Sequence, residues 1–318
     1  MSIKLLICGG SGFIGKNLTS FLSKNKNFKV YSTYFKKKPI KKIKNVTYVK
    51  TDLRKFSDCI KITKNKDILI QAAATTSGSK DIINKPYFHV TDNAVMNSYL
   101  LRASFENEIK HFIFTSCTVM YENSSKYLSE DQLNEKKIFK NYYGVANTKL
   151  YVEKMCKFYS NISQTKFTII RHSNIYGPED KFDLDKGHFI GSSIVKFLKK
   201  KEIKLFGSGT EKRDFLYVKD FLDFVSKVLK LQKERYKIYN CSYGKSFSIK
   251  DIIIKLNKIF SSRKKIIFLK NRKNLKVDIL VSSRKAFKEL NWLPKVKIDE
   301  GLRKTIVWYK DNEKFLQK

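Results

Sequence analysis

No apolar run in the chain approaches the roughly 20 residues that a bilayer-crossing helix needs. The apolar stretch Ile3 to Ile7 is too short for a secretion signal and meets glycines at once. The sequence therefore predicts a cytoplasmic protein without a membrane partner. Proline is down to four residues, and no internal repeat or low-complexity linker is present. The five cysteines, Cys8, Cys59, Cys117, Cys156 and Cys241, are scattered and form no C-x-x-C pair. That argues against a zinc site and a disulfide frame, and for reduced thiols. Acidic residues are few, 29 against 66 lysines and arginines, for a formal charge of +37. A nucleic-acid binder would gather its cations into a stripe with interleaved aromatics. Here lysine is spread through almost every segment and arginine is scarce, while Asn, Ile, Tyr and Phe abound. We read this as nucleotide-composition bias and expect no nucleic-acid partner. Such a surface would still attract an anionic substrate such as a nucleotide diphosphate.

What is present is globular. A chain of 318 residues with 42% hydrophobic content can bury one large core or two modest ones. Its organising stretch is Cys8-Gly9-Gly10-Ser11-Gly12-Phe13-Ile14-Gly15, between a buried-strand pattern and a helix-like run, Asn17 to Leu22. Strand, glycine turn and helix start make a dinucleotide-binding arrangement. Gly9 permits the tight turn, Gly12 lets the backbone approach a pyrophosphate, and Gly15 lets helix and strand pack closely. The anion then sits at the positive end of the helix.

Strand patterns follow at 28–34, 46–49 (running into Asp52-Leu53), 68–70 (running into Gln71-Ala72-Ala73-Ala74), 111–114 and 167–170, with helices at 91–105 and 141–159. The alternation predicts an α/β fold with a doubly wound parallel sheet. An acidic residue near the end of the second strand would hold the ribose 2′-OH of NAD. Thr33 and Tyr34 stand there instead, followed by Lys36, Lys37 and Lys38, so NADP is favoured over NAD. Hydroxyls and a thiol, Thr115-Ser116-Cys117-Thr118, end the fifth strand, where such sheets bind ligands. The alternation weakens near Tyr176. We assign residues 1–175 to the dinucleotide-binding part, with 214–240 returning to it, and 176–318 mainly to a smaller substrate-binding part.

Together these segments resemble the extended short-chain dehydrogenase/reductase (NAD-dependent epimerase/dehydratase) family that acts on nucleotide sugars. The matching residues are Gly9-x-x-Gly12-x-x-Gly15, Asp52-Leu53, Ala72-Ala73-Ala74, Asn93, Phe112 to Cys117 with Tyr121, and Lys149-Leu150-x-Val152-Glu153. Arg171-x-x-Asn174-x-Tyr176-Gly177-Pro178, the run Gly207 to Asp220, and Leu290-Asn291-Trp292-x-Pro294 complete the match. Gly177-Pro178-Glu179-Asp180-Lys181-Phe182 with His188 is similar to the GDP-L-fucose synthase branch. The resemblance implies a Rossmann fold and a cofactor held by Gly9, Gly12, Phe13, Ile14, Gly15, Thr33, Lys36, Asp52, Leu53, Ala72, Ala73 and Lys149. It implies a diphosphate on Asn174 and Arg213, a sugar pocket supported by Asn93, and His188 as proton donor or sugar contact. It also implies a homodimer paired through the helices at 91–105 and 141–159.

The catalytic centre departs from the family pattern. The family pairs a Ser or Thr at the end of strand five with a tyrosine and a lysine about one helical turn apart. Here Cys117 takes the hydroxyl position, with Ser116 or Thr118 as substitutes, and Val119 stands where fucose synthases carry the cysteine used for epimerisation. That favours reduction or oxidation alone. Asn147 and Thr148 are two extra residues, so Tyr143 precedes Lys149 by six positions, about 120° apart around a regular helix. Tyr142 shares the face of Lys149 but lies roughly 10 Å along the axis. The proton donor is either Tyr142 or Tyr143 in a changed geometry, a helix that begins late or bulges restores the spacing, or the usual chemistry is lost. The expected activity is an NADP-dependent reductase or dehydrogenase of a nucleotide-activated keto sugar, GDP-linked, with hydride transfer at C4, serving polysaccharide synthesis. Its rivals are a 4-epimerase or dehydratase, and a catalytically weakened protein that senses NADP(H) or a nucleotide sugar.

Overall fold

A computed structural model describes residues 2–39, 42–76, 84–269 and 278–316. The chain begins with β1 (Ile3–Cys8), α1 (Phe13–Leu22), β2 (Phe28–Tyr34), β3 (Val46–Lys50), α2 (Phe56–Thr63) and β4 (Ile68–Gln71). It continues through α3 (Thr91–Glu106), β5 (His111–Cys117), β6 (Ser124–Leu128), α4 (Tyr143–Ile162), β7 (Lys166–His172) and β8 (Asn174–Tyr176). Then come α5 (Phe189–Lys199), β9 (Ile203–Phe206), β10 (Lys212–Tyr217), α6 (Val218–Leu231), β11 (Tyr236–Cys241) and β12 (Ser246–Ser248). The last elements are α7 (Ile249–Ile259), β13 (Ile266–Leu269), β14 (Ile279–Val281), α8 (Arg284–Leu290) and α9 (Ile298–Leu316).

Seven strands form one sheet in the order β11-β7-β5-β4-β1-β2-β3, and every neighbouring pair is parallel. This is the doubly wound Rossmann order, with the chain reversing direction across the sheet beside β1. A strand buried on both faces must be apolar on both, and β1 shows how the residues divide. Leu5 and Ile7 enter a core with Leu18 and Leu22 of α1 and Phe221, Phe224, Val225 and Val228 of α6. Leu6 and Cys8 enter the opposite core with Ile62 of α2, Leu100 and Leu101 of α3, and Val152 and Cys156 of α4. Glycine permits the close approach at the end of β1. Gly9 has φ +84°, and a Cβ there would fall 2.6 Å from the Ala73 Cα.

β8, β10 and β12 make a three-stranded sheet, and α5, α7 and α9 close a third core with it around Tyr176, Phe215 and Leu302. From β10 the chain runs through α6 into β11, which completes the edge of the large sheet beside β7. The carboxyl ends of β5 and β7 therefore face the β8–β10 pair, where Asn174 lies opposite Phe215. Among the described residues no helix is long and apolar enough to cross a membrane.

Candidate active site

The glycine turn and the ends of β2 and β4 form one cradle. The Gly9 amide donates to Thr33 Oγ1 (3.0 Å) and the Gly10 amide to the Thr33 carbonyl (2.7 Å). Thr33 is buried beneath the turn, so its hydroxyl supports the loop and is not presented to a ribose. Gly15 packs where a Cβ would meet the Gly9 carbonyl at 2.1 Å. Gly12 stands exposed at the start of α1, with no side-chain cap and no acidic residue in the first turn. Phe13 and Ile14 are half-buried against the first core. Ala72 and Ala73 lie against the turn without side chains that would fill it. The cradle thus has the room, the donors and the positive helix end that a dinucleotide pyrophosphate needs.

Beyond the end of β2 the surface is cationic. Lys36 is exposed, and Arg54 stacks its guanidinium 4.9 Å from the centre of the Phe35 ring. Arg54 also forks onto Asp52, Nε to Oδ1 at 2.9 Å and Nη2 to Oδ2 at 3.0 Å. That pair holds the Asp52 carboxyl below the usual carboxylate range. Leu53 is buried beside it. Arg54 was not among the residues singled out from the sequence; its signal was an arginine two residues after Asp52 in a chain poor in arginine.

At the carboxyl end of β5 the candidate catalytic groups separate by strand parity. Ser116 follows Phe112 and Phe114 onto the face covered by α4, and its hydroxyl donates to Glu153 Oε1 at 2.6 Å, fully buried. Ser116 is thereby turned away from the cleft. Cys117 lies within electrostatic reach of both Lys149 and Tyr142. Burial pushes its thiol up against the pull of the Lys149 ammonium. Lys149 donates Nζ–H to the Thr115 carbonyl at 2.7 Å and lies 4.6 Å from the Phe114 ring centre. Burial lowers its pKa.

The two tyrosines point apart. A short 3₁₀ turn, Lys140–Tyr142, precedes α4, and the regular helix starts only at Tyr143. Tyr143 is 63% exposed and Tyr142 only 6%. With Lys149 directed at the end of β5, the six-residue offset carries Tyr143 to the solvent side. Tyr142 is hydrogen-bonded with the Arg213 guanidinium, and burial raises its pKa, so it keeps its proton at neutral pH. Tyr142, Thr118, Val119, Asn174, Arg213 and Asp214 line one narrow cleft. Asn174 Nδ2 donates to the Asp214 carbonyl at 3.0 Å, which ties β8 to β10 there. Asp214 itself is buried and accepts from the amides of Tyr243 (2.9 Å), Gly244 (2.7 Å) and Lys245 (3.2 Å).

Two further positions differ in what they do. Asn93 spends its amide on main chain, accepting from the Thr75 amide (2.9 Å) and donating to the carbonyls of Thr75 (3.0 Å) and His89 (2.8 Å). It braces the segment after β4 and is not itself a group offered to a sugar. His188 is half-exposed at the start of α5, its Nδ1 3.0 Å from Asp180 Oδ1. His172, at the end of β7, was not singled out from the sequence. Its Nδ1 donates to the Ser173 carbonyl at 2.8 Å, and burial pushes its pKa down to about 4, with Lys149 and His188 nearby. A neutral imidazole therefore stands within electrostatic reach of both Lys149 and His188. A larger groove of about 540 Å³, among Tyr127, Glu130, Arg284 and Lys285, shares no residue with this cleft.

A buried ion pair fixes these elements. Arg171 Nη2 meets Glu153 Oε2 at 2.7 Å, and its Nη1 donates to Tyr121 Oη at 2.8 Å and to the Glu130 carbonyl at 2.9 Å. Tyr121 Oη in turn donates to Asn240 Oδ1 at 2.8 Å.

The family model described as the NAD dependent epimerase/dehydratase family matches residues 5–242. A UDP-glucuronate 4-epimerase of Thermodesulfobacterium geofontis is 28% identical, over 96% of each chain. A GDP-L-colitose synthase of Yersinia pseudotuberculosis is 25% identical, over 96% of this chain and 98% of its own. The UDP-glucuronic acid 4-epimerase of Bacillus cereus, solved with UDP-glucuronic acid and NAD, superposes with a TM-score of 0.85 at 26% identity, covering 97% of this chain and 99% of that one.

Removing one member of a buried pair strands the other charge. Arg171→Met, close in volume, is expected to destabilise the protein by about 3–5 kcal/mol, read as a lowered denaturation midpoint. An unchanged midpoint would show that Glu153 finds another partner.

Proposed function

The chain belongs to the NAD dependent epimerase/dehydratase family, and from that premise we propose that it reduces a nucleotide-activated keto sugar with NADPH, or runs the reverse oxidation. The sugar is GDP-linked and the reacting carbon is C4. The observation that carries this reading is the convergence of a buried, protonated Tyr142, the Cys117 thiol and Lys149 beside the Asn174–Arg213 cleft. Residues 1–175, with 214–240, are read as the cofactor-binding part and the remainder of 176–318 as the nucleotide-sugar part.

When bound, the nicotinamide supplies the hydride. Tyr142 gives its phenolic proton to the carbonyl oxygen as the carbon is reduced, so no free alkoxide has to form. Solvent restores that proton, and the balance is keto sugar, NADPH and one proton giving hydroxy sugar and NADP⁺. Lys149 holds the cofactor ribose, and the Arg213 guanidinium adds positive charge beside the phenol. Thr118 polarises the carbonyl oxygen better than Cys117 can, because a thiol is the weaker donor. Arg213 and Asn174 hold the diphosphate, the guanidinium as a fork. The match to a GDP-L-colitose synthase and the Gly177 to Phe182 motif support a GDP sugar. A second reading, 4-epimerisation, is favoured by the Thermodesulfobacterium and Bacillus relatives, both named 4-epimerases.

The cofactor choice rests on this chain's own residues. The solved Bacillus relative holds NAD; here Lys36 and Arg54 line the end of β2, where no carboxylate stands among residues 33–38. We read this as a 2′-phosphate site. The exposed apolar residues of α3 and α4, Tyr99, Phe105, Tyr151, Phe158 and Ile162, fit a homodimer interface.

Incubation with NADPH and a panel of GDP- and UDP-linked 4-keto sugars separates the two reactions. A reductase consumes one NADPH per sugar turned over; an epimerase turns over sugar with no net loss of nicotinamide absorbance. Tyr142→Phe is expected to lose about 100-fold or more in kcat while Tyr143→Phe stays near wild type; the reverse order would reassign the proton donor. Arg54→Ala should weaken NADPH binding by about 1.5–3 kcal/mol and leave NADH binding unchanged, whereas equal losses for both would remove the 2′-phosphate site. Light scattering at micromolar concentration should give the mass of two chains, and Phe158→Asp should halve it; a monomeric wild type contradicts the interface.

A further inference from the structure

We infer that Asp180 is a positioning residue for His188, taking the Nδ1–H of the imidazole so that Nε2 is the atom turned to the sugar side of the cleft. This rests on the reading of the cleft as a nucleotide-sugar site.

The loop from Gly177 to His188 is built to bury one carboxylate. Lys181 and residues 183–186 are exposed, yet Asp180 is 3% exposed in their midst. The chain reaches that position through two backbone conformations in the left-handed half of φ space, Gly177 at +147° and Glu179 at +67°. A non-glycine residue holds such a φ only when its surroundings fix it. Here α1 does so: Asn17 Nδ2 donates to the Pro178 carbonyl at 2.9 Å, and Lys16 Nζ meets Glu179 Oε2 at 3.1 Å. The same helix begins at the glycine turn, so the cofactor cradle and the Asp180 loop share a support.

Once buried, the carboxylate has few partners. Oδ1 accepts from the Lys181 amide at 2.7 Å and from His188 Nδ1 at 3.0 Å. Oδ2 has no hydrogen-bond partner among the described residues. It lies against the first turn of α5, where a Cβ on Gly191 would be 3.5 Å away. A buried charge with an unsatisfied oxygen is costly unless something compensates it, and the imidazole and the positive end of α5 are what stand nearby.

The chemistry follows from the hydrogen bond. An ionised carboxylate only accepts, so Nδ1 must donate. The neutral ring then carries a lone pair on Nε2, and the protonated ring carries Nε2–H, which can donate a hydrogen bond to a sugar oxygen while Tyr142 supplies the proton of the reduction. The ring is half-exposed, and the hydrogen bond and charge of Asp180 hold the His188 pKa above its ordinary value. The other titratable groups facing it are Lys181 on the same loop and the His172 ring on β7. His172, uncharged near neutrality, leaves Asp180 as the dominant field.

The test uses the full chain and two readouts. Nitrogen-15 NMR titration, with His188→Gln to assign the resonance, should give wild-type His188 as the Nδ1–H tautomer with a pKa above the usual value near 6.5. Asp180→Asn should lower that pKa by on the order of one unit or more and move the alkaline limb of kcat/KM to lower pH by the same amount. His188→Gln should abolish that limb. Wild-type His188 found as the Nε2–H tautomer, or titrating at its ordinary value, overturns the inference without any variant. So does an Asp180→Asn protein whose His188 titration is unchanged, or whose titration moves while the pH profile does not. If no nucleotide sugar is turned over, the reductase reading fails while the NMR arm still decides the Asp180–His188 pairing.

Discussion

The ion pair between Glu153 and Arg171 is the contact on which the candidate site depends. Both side chains are almost fully excluded from solvent, 5% and 3% exposed for Arg171 and Glu153. Two charges in such a place persist only if their remaining donors and acceptors are used. They are: Ser116, Tyr121 and the Glu130 carbonyl take them up. The network joins β5, α4 and β7 at the end of the sheet where a ligand would lie. It fixes the rotation of α4 about its own axis, because Glu153 can face Arg171 in only one setting of that helix. Lys149, four residues earlier on the same face, is then aimed at the end of β5. Tyr143 is carried outward, and the 3₁₀ turn before it brings Tyr142 in.

The electrostatics of the cleft follow from this frame. Lys149 and Arg213 set a positive field among low-dielectric walls, suited to a nucleotide diphosphate. The charge of the whole chain is diffuse, whereas these few groups are placed. Arg213 is bonded with Tyr142. A diphosphate that engages the guanidinium would therefore also change the surroundings of the phenol.

Much of the fold was legible because its signals are local. Strand, glycine turn and helix are read from adjacent residues, and the parallel order follows from alternating elements. β11 carried less signal and gained its place by joining an edge beside β7. The site was legible in outline and less so in detail. Gly9, Gly12 and Gly15 act through their own backbone, so sequence reached them. Thr33 and Asn93 stand near the expected places, yet their polar atoms are spent on Gly9, Thr75 and His89, partners distant in sequence. The inward turn of Ser116 could have been read from parity, since Phe112 and Phe114 already mark its face as interior. Which of Tyr142 and Tyr143 is buried could not, because that turns on where α4 starts. Arg54 stood just past Asp52-Leu53, and His172 within the segment from Arg171 to Pro178, without a motif to mark them.

The most direct test is a crystal structure with NADP⁺ and a GDP-linked sugar bound together. The account predicts Lys149 on the nicotinamide ribose, Tyr142 Oη within hydrogen-bond distance of the sugar C4 oxygen, and Arg213 on the diphosphate, released from Tyr142. A sugar bound with Tyr143 turned inward to its C4 oxygen, or bound outside the Asn174–Arg213 cleft, would contradict it.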